Sequence, residues 1–197
     1  MKSKNRRVRR THRSLHNALM SLILEKNYDS LTVQEILDRA DVGRSTFYAH
    51  FDGKDELLLS GTDDLRNTLD AALQEERLST KRHDVAIGFS GAMFEHAHEY
   101  RNVYYALLHT QGWPLFRQRL QEILQELIRR ECKAEIHKLR KADSEVPVEL
   151  FVHYLTSAFL SVLTWWLDRR SRLAPKEIND VFRSLISPTI NAVLGAW

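Results

Sequence analysis

The chain has 197 residues, 43% of them hydrophobic, with only seven glycines and four prolines. That size suits one mid-sized domain or a small module continuous with a larger one, and the lack of regular turn clusters and alternating apolar runs argues against a β-sandwich or barrel. The net charge of +3 is uneven: Lys2, Lys4, Arg6, Arg7, Arg9, Arg10 and Arg13 precede the first acidic residue, which leaves 22 basic against 26 acidic residues in the remainder.

A basic arm on a slightly acidic body fits contact with a polyanion at one end, and it also fits a solvated tail. The single cysteine, Cys132, excludes an internal disulfide framework and a Cys-only metal site. No uninterrupted apolar stretch approaches the roughly 20 residues that span a bilayer. No apolar segment follows the basic N-terminus either, so a cytoplasmic chain without a membrane partner is expected.

From about residue 9 to 26, Leu15, Ala18, Leu19, Leu22 and Ile23 recur at the spacing that gathers side chains on one helical face. Asn27 should end this helix, since asparagine tolerates the left-handed cap conformation. Thr32 with Glu35 reads as a capping box opening a second helix, with Val33, Ile36, Leu37 and Ala40 as its stripe. Asp41-Val42-Gly43 breaks it, and a third short helix follows from about Arg44 to His50 with Phe47 and Phe51 inward. After Asp52-Gly53-Lys54, a longer helix from about Asp55 to Glu76 turns Leu58, Leu65, Leu69, Ala72 and Leu73 inward.

Past a polar break at residues 79–84, Val85, Phe89, Ala92, Met93, His96 and Tyr100 mark a fifth helix, and Asn102 to Leu108 a short sixth. Pro114 suits a first helical turn. The helix it opens carries Leu120, Ile123, Leu124, Leu127 and Ile128, then thins into the charged run Lys133 to Glu145, expected as a loop or frayed end. Pro147 begins a helix whose wide stripe, from Val148 to Trp166, is joined on further faces by Leu160 and Trp165, more than one covering layer can bury. Pro175 begins the last, with Ile178, Val181, Phe182, Leu185 and Ile186 as its stripe and Pro188 as an expected kink. The predicted class is all-α, with about nine helices.

Residues 32–51 have the build of a helix-turn-helix, in which one short helix crosses the phosphate backbone while the next enters the major groove. Helices this short bury little alone, so Leu15, Leu19, Ile36, Leu37, Val42, Phe47 and Phe51 are expected to share a small core. Thr32-Val33-Gln34-Glu35-Ile36, then Ala40-Asp41-Val42-Gly43-Arg44-Ser45-Thr46-Phe47-Tyr48-Ala49-His50-Phe51, then Lys54-Asp55-Glu56-Leu57-Leu58, resembles the DNA-binding head of the TetR/AcrR family of regulators, over residues 9–58. Beyond that, the likeness is one of length, helix order and a tryptophan-bearing penultimate helix.

The resemblance implies a sequence-specific DNA-binding regulator, by the family's usual role a repressor released by a small molecule. Residues 1–58 would be the basic arm and head, joined by a long helix to a helical regulatory and dimerisation domain at 59–197; no cofactor or metal is implied. It makes Thr32 a phosphate contact at a helix N-terminus and turns Arg44, Ser45 and Thr46 to the groove, Arg44 being suited to guanine O6 and N7. Tyr48 and His50 would touch phosphate or a thymine methyl, Lys54 phosphate, and the arm with Arg9 and Arg10 an adjacent groove or backbone. Plainer roles stand beside these: a cap for Thr32, partial burial for Tyr48, a turn hydrogen bond for His50. Gly43 replaces the usual serine or threonine cap, Ser45 a frequent glycine and Ala49 a typical aromatic, which affects the operator sequence more than the binding mode.

For the second part, the family pattern implies a four-helix bundle between two subunits, and the apolar excess at Phe151, Leu155, Phe159, Val162, Leu163, Trp166, Val181, Phe182, Leu185 and Ile186 independently asks for a partner surface. A homodimer also suits a palindromic operator in double-stranded DNA. Phe89, Met93, His96, Tyr100, Tyr104, Tyr105, Trp113, Phe116 and Tyr154 offer walls for an apolar or aromatic small molecule, and equally an ordinary core. A regulator controlled by a protein partner is the competing reading. An enzyme is disfavoured: His96 and His98 point about 200° apart on a helix, and neither a glycine-rich phosphate loop nor a nucleophile elbow is present.

Overall fold

The computed structural model describes residues 2–79, 87–139 and 146–194, and every regular element among them is helical. They are α1 (Lys2–Glu25), a 3-10 turn (Tyr28–Ser30), α2 (Val33–Ala40), α3 (Arg44–Tyr48), α4 (Lys54–Ser60), α5 (Thr62–Ser79), α6 (Phe89–Glu99), α7 (Arg101–Leu107), α8 (Gly112–Leu139), α9 (Val148–Asp168) and α10 (Pro175–Leu194). Gly61 joins α4 to α5 with φ −68° and ψ −16°, a right-handed helical geometry, so the expected long helix exists with a one-residue interruption. The expected break at residues 80–84, Val85, and residues 140–145 of the charged run lie outside the described residues, as do the side chains of Lys2, Lys4 and Arg7.

Three local expectations change. Asn27 adopts φ −57° and ψ 130° rather than a left-handed cap, because its side chain accepts the Asp29 N–H and opens the 3-10 turn. The stretch before residue 9 is helical rather than a separate arm, since α1 runs from Lys2. The charged run continues α8 as far as Leu139. α9 is long and apolar enough by composition to cross a membrane, but half of that window is buried inside the protein.

The chain divides into two compact units, residues 1–63 with 101–119 and residues 64–100 with 120–197. In the first, Leu15, Leu19, Ile36, Leu37, Phe47 and Phe51 form one core with Leu57, Leu58 and Leu107, and Val42 packs at its margin. In the second, Phe94 and Phe89 on α6 each meet Phe159 of α9 at 5.1 Å between ring centres. Phe182 of α10 closes on Phe159 at 5.2 Å, with the rings edge to face, a favoured aromatic arrangement. α5 and α8 are laced within this unit by Arg66 to Glu126 and Arg130 to Asp70. The Arg77 guanidinium donates two hydrogen bonds of 2.7 Å to the buried Glu131 carboxylate, which balances the charge taken out of water. Cys132 beside it is fully buried, and burial pushes its thiol up to about 12, so it is an inert core residue.

Candidate nucleic-acid interface

The paired helices are held by their turn. Asp41 takes the left-handed conformation, φ 52° and ψ 50°, one of the few non-glycine residues that do so readily. This lets the Val42 N–H reach back to the Leu37 carbonyl at 3.1 Å, which closes α2. Gly43 then opens α3 with no side-chain cap. Thr32 caps α2 as expected: its hydroxyl accepts the Glu35 N–H at 3.3 Å, and the Glu35 carboxylate accepts the Thr32 N–H at 2.9 Å. Hydrogen bonds from Lys26, then Thr32, hold the Glu35 carboxyl down to about 2. Arg39 adds a brace to α1 through two hydrogen bonds of 2.7 Å to Glu25.

α3 has five residues, too few to persist alone. It is pinned because Phe47 is fully buried and lies 5.6 Å from the Phe51 ring. Arg44, Ser45, Thr46 and Tyr48 are exposed around that anchor, Tyr48 half so. Arg9 and Arg10 are also exposed and share one face of α1 with Arg6 and Arg13, at i, i+3, i+4 and i+7. His50 is partly buried; its ring meets His12 of α1 at 4.9 Å, and burial followed by the His50 charge lowers the His12 pKa.

Lys54, expected as a phosphate contact, is engaged within the protein. Its ammonium donates to the carbonyls of Tyr28 at 2.8 Å, Leu31 at 2.9 Å and Asp29 at 3.2 Å, matching its three donors. The same nitrogen stands 4.7 Å over the Tyr28 ring, a cation–π contact. Tyr28 is buried and donates its hydroxyl to Asp55, so burial first and that carboxylate second raise its pKa. Lys54 thus ties α4 to the 3-10 turn inside the first unit.

The residues expected to line a pocket fall in both units. Within the first, buried Tyr104 meets Phe116 edge-on at 5.4 Å, Trp113 stacks on Phe116 at 6.0 Å, and Tyr105 is partly buried. Within the second, Phe89 and Met93 are fully buried, His96 lies 4.7 Å from the Tyr100 ring, and Tyr100 and Tyr154 are exposed. Burial lowers His96 to about 4. Among the described residues, no group of three or more His, Cys, Asp or Glu is placed to hold a metal.

Of the residues expected at a subunit interface, Phe151, Leu155, Phe159, Leu163, Trp166, Phe182 and Ile186 are buried within the protomer, and Val162 is partly buried. Val181 and Leu185 face outward on α10; Leu150, Tyr154 and Trp165 do so on one face of α9. A stripe facing the core and a stripe facing a partner have the same 3.6-residue period, so periodicity alone does not separate them.

Two family models match this chain: that of bacterial regulatory proteins of the tetR family over residues 15–60, and that of a transcriptional regulator C-terminal region over residues 88–188. The chain belongs to the TetR family. It is 24% identical over 183 residues to YxbF, an HTH-type transcriptional regulator of Bacillus subtilis (strain 168), a match covering 90% of this chain and 45% of that protein's length. Its fold is similar to a TetR regulator of Streptococcus agalactiae 2603V, with a TM-score of 0.63 and 24% identity over 94% of this chain and 98% of that one. It is also similar to RolR in complex with the ligand resorcinol, with a TM-score of 0.62 and 18% identity over 94% and 89% of the two chains.

In this TetR-family head the geometry adds contacts of residues to which the sequence reading gave no role. Gln34, on the first turn of α2, accepts a 3.4 Å hydrogen bond from Arg44. His12 and His16 are four apart on α1, a spacing that invites a metal reading. Their rings meet different neighbours: His12 meets the His50 and Phe51 rings, and His16 occupies the space where a Cβ at Gly61 would stand.

Proposed function

We propose that this TetR-family protein is a sequence-specific DNA-binding transcriptional regulator, a cytoplasmic homodimer that represses by occupying operator DNA and is released by a small molecule held in its C-terminal part. The observation that carries this reading is α3: Arg44, Ser45, Thr46 and Tyr48 stand exposed on a helix that the buried Phe47 anchors. A guanidinium on such a helix can give two hydrogen bonds to guanine O6 and N7. Thr32, Tyr48 and His50 serve as phosphate or methyl contacts, and the exposed Arg9 and Arg10 extend the positive surface along α1, where each phosphate neutralised adds salt-sensitive affinity. Lys54 supports this surface from within.

Dimerisation rests on the outward apolar side chains Leu150, Tyr154, Trp165, Val181 and Leu185, Leu185 being 61% exposed. Two heads related by a two-fold axis suit half-sites roughly one helical turn of DNA apart. The expected ligand class is apolar or aromatic, by analogy with the resorcinol held by RolR and from the aromatic side chains of both units. A ligand weakens operator binding only through unequal affinity for the DNA-competent and DNA-incompetent states. Control by a protein partner instead is favoured by one observation: Phe89, Met93 and Phe94 are fully buried, which is how an ordinary filled core looks.

Titrating the protein against duplex fragments flanking its own gene, across a range of salt, tests the first part: tight, salt-dependent binding to one fragment supports it, and equal binding to all fragments contradicts it. Tryptophan fluorescence against a metabolite library tests the second. A compound that shifts emission and lowers operator affinity supports ligand release, and a protein partner that does so in its place favours the alternative.

A further inference from the structure

Arg44 and Gln34 belong to different helices of the helix-turn-helix, yet the Arg44 Nη2 donates to the Gln34 Oε1 at 3.4 Å. The other end of the same amide is committed too: Gln34 Nε2 donates to Asp38 Oδ1 at 2.8 Å, one turn along α2. The polarity of this chain of contacts is forced. A guanidinium only donates and a carboxylate only accepts, so the amide oxygen must face Arg44 and its nitrogen Asp38.

We propose that Gln34, oriented by Asp38, is a positioning residue that aims the Arg44 guanidinium into the groove and so sharpens its choice of base. The inference rests on the DNA-binding reading above. A guanidinium has two edges able to give paired parallel hydrogen bonds, Nε with Nη2 and Nη1 with Nη2. Nη2 carries two hydrogens, one for each edge. Whichever hydrogen Gln34 takes, the other edge keeps both its donors for guanine O6 and N7. The contact with Gln34 is therefore compatible with base reading, and it removes rotamer freedom that an unsupported arginine would lose on entering the groove. Gln34 and Arg44 are both exposed, as an interface formed only with DNA requires.

Asp38 gives the proposal a signature that simple structural support would not produce. Its carboxylate repels phosphate, so removing it raises affinity for every duplex through charge alone. Removing it also frees the Gln34 amide, so base discrimination falls at the same time. Affinity for non-cognate DNA and discrimination should move in opposite directions.

The test begins with duplexes that the full-length wild-type protein recovers from a random-sequence pool, followed by substitution of each base pair in turn. Gln34→Met keeps length and helix propensity without the amide. It should lower discrimination at the one position that Arg44→Ala also abolishes, about fivefold, with non-cognate affinity unchanged. Asp38→Ala should lower discrimination at that position while raising non-cognate affinity. Unchanged discrimination in both variants, or a Gln34→Met loss spread evenly over all positions and over non-cognate DNA, overturns the proposal. If Gln34→Met loses helical circular dichroism, Asp38→Ala alone decides. Recovery of no preferred sequence by the wild-type protein overturns the DNA-binding reading itself, and the proposal with it.

Discussion

His16 on α1 fills the space where a side chain at Gly61 would begin: a Cβ there would stand 2.9 Å from its Nε2 and 3.0 Å from its Nδ1. Gly61 has ordinary helical dihedrals, so packing rather than backbone freedom accounts for the glycine. In an open helix, Gly→Ala gains about 1 kcal/mol. Here the sign should reverse: Gly61→Ala should destabilise by about 1–3 kcal/mol, the range for overpacking. Adding His16→Ala should recover most of that loss. Denaturant unfolding of the two single variants and the double variant checks it through their coupling energy.

Gly43 is the opposite case. It opens α3 with φ −69° and ψ 147°, which any residue adopts, and a Cβ there would meet nothing within 4 Å. Gly43→Ser should supply the missing cap and reduce the freedom of the unfolded chain, stabilising by about 0.5–1 kcal/mol. A rise of about 1–4 °C in Tm is expected by calorimetry.

Lys54 separates a supporting role from a DNA contact. Lys54→Met leaves three carbonyls without their shared donor and should destabilise the protein by about 2 kcal/mol. The slope of log affinity against log salt should stay as in the wild-type protein. Arg9→Ala should instead lower that slope by about 1 with stability unchanged.

Acid should weaken the fold through His96. Its ordinary value of 6.5 falls to about 4 in the folded state because burial opposes the charged ring. Between those values the unfolded chain binds a proton that the folded chain refuses. Stability is therefore full above pH 6.5 and is lost as the pH falls toward 4, by at most about 3 kcal/mol. His12, lowered chiefly by burial, adds in the same direction. His96→Phe should flatten most of the slope in denaturant midpoints measured across that window.

Local chemistry makes the head legible in the sequence. The capping box of Thr32 and Glu35, the break at Asp41 and the inward pair Phe47 and Phe51 each follow from short-range rules. The tie that Lys54 makes to the 3-10 turn is not legible in the sequence, because its carbonyl partners lie 23 to 26 residues away and no local rule encodes that fold-back. Gln34 stands inside the quoted motif without a role of its own there, although its i, i+4 spacing to Asp38 on α2 is a readable hint of a side-chain pair. In the second part, periodicity found the helices and their apolar stripes. Which stripe faces the core is decided by neighbouring helices, so Phe159 and Phe182 proved internal while Trp165 and Leu185 remained outside.

The most direct measurement is fluorescence anisotropy of a selected duplex titrated with the wild-type protein and with the Arg44→Ala, Tyr48→Ala double variant, at several salt concentrations. The wild-type protein should bind with strong salt dependence and prefer this duplex over a scrambled one. The double variant should keep its helical content and Tm but lose that preference. Equal preference in both proteins, or no salt-sensitive binding by the wild-type protein to any duplex, would contradict the assignment of α3 as the DNA-reading helix.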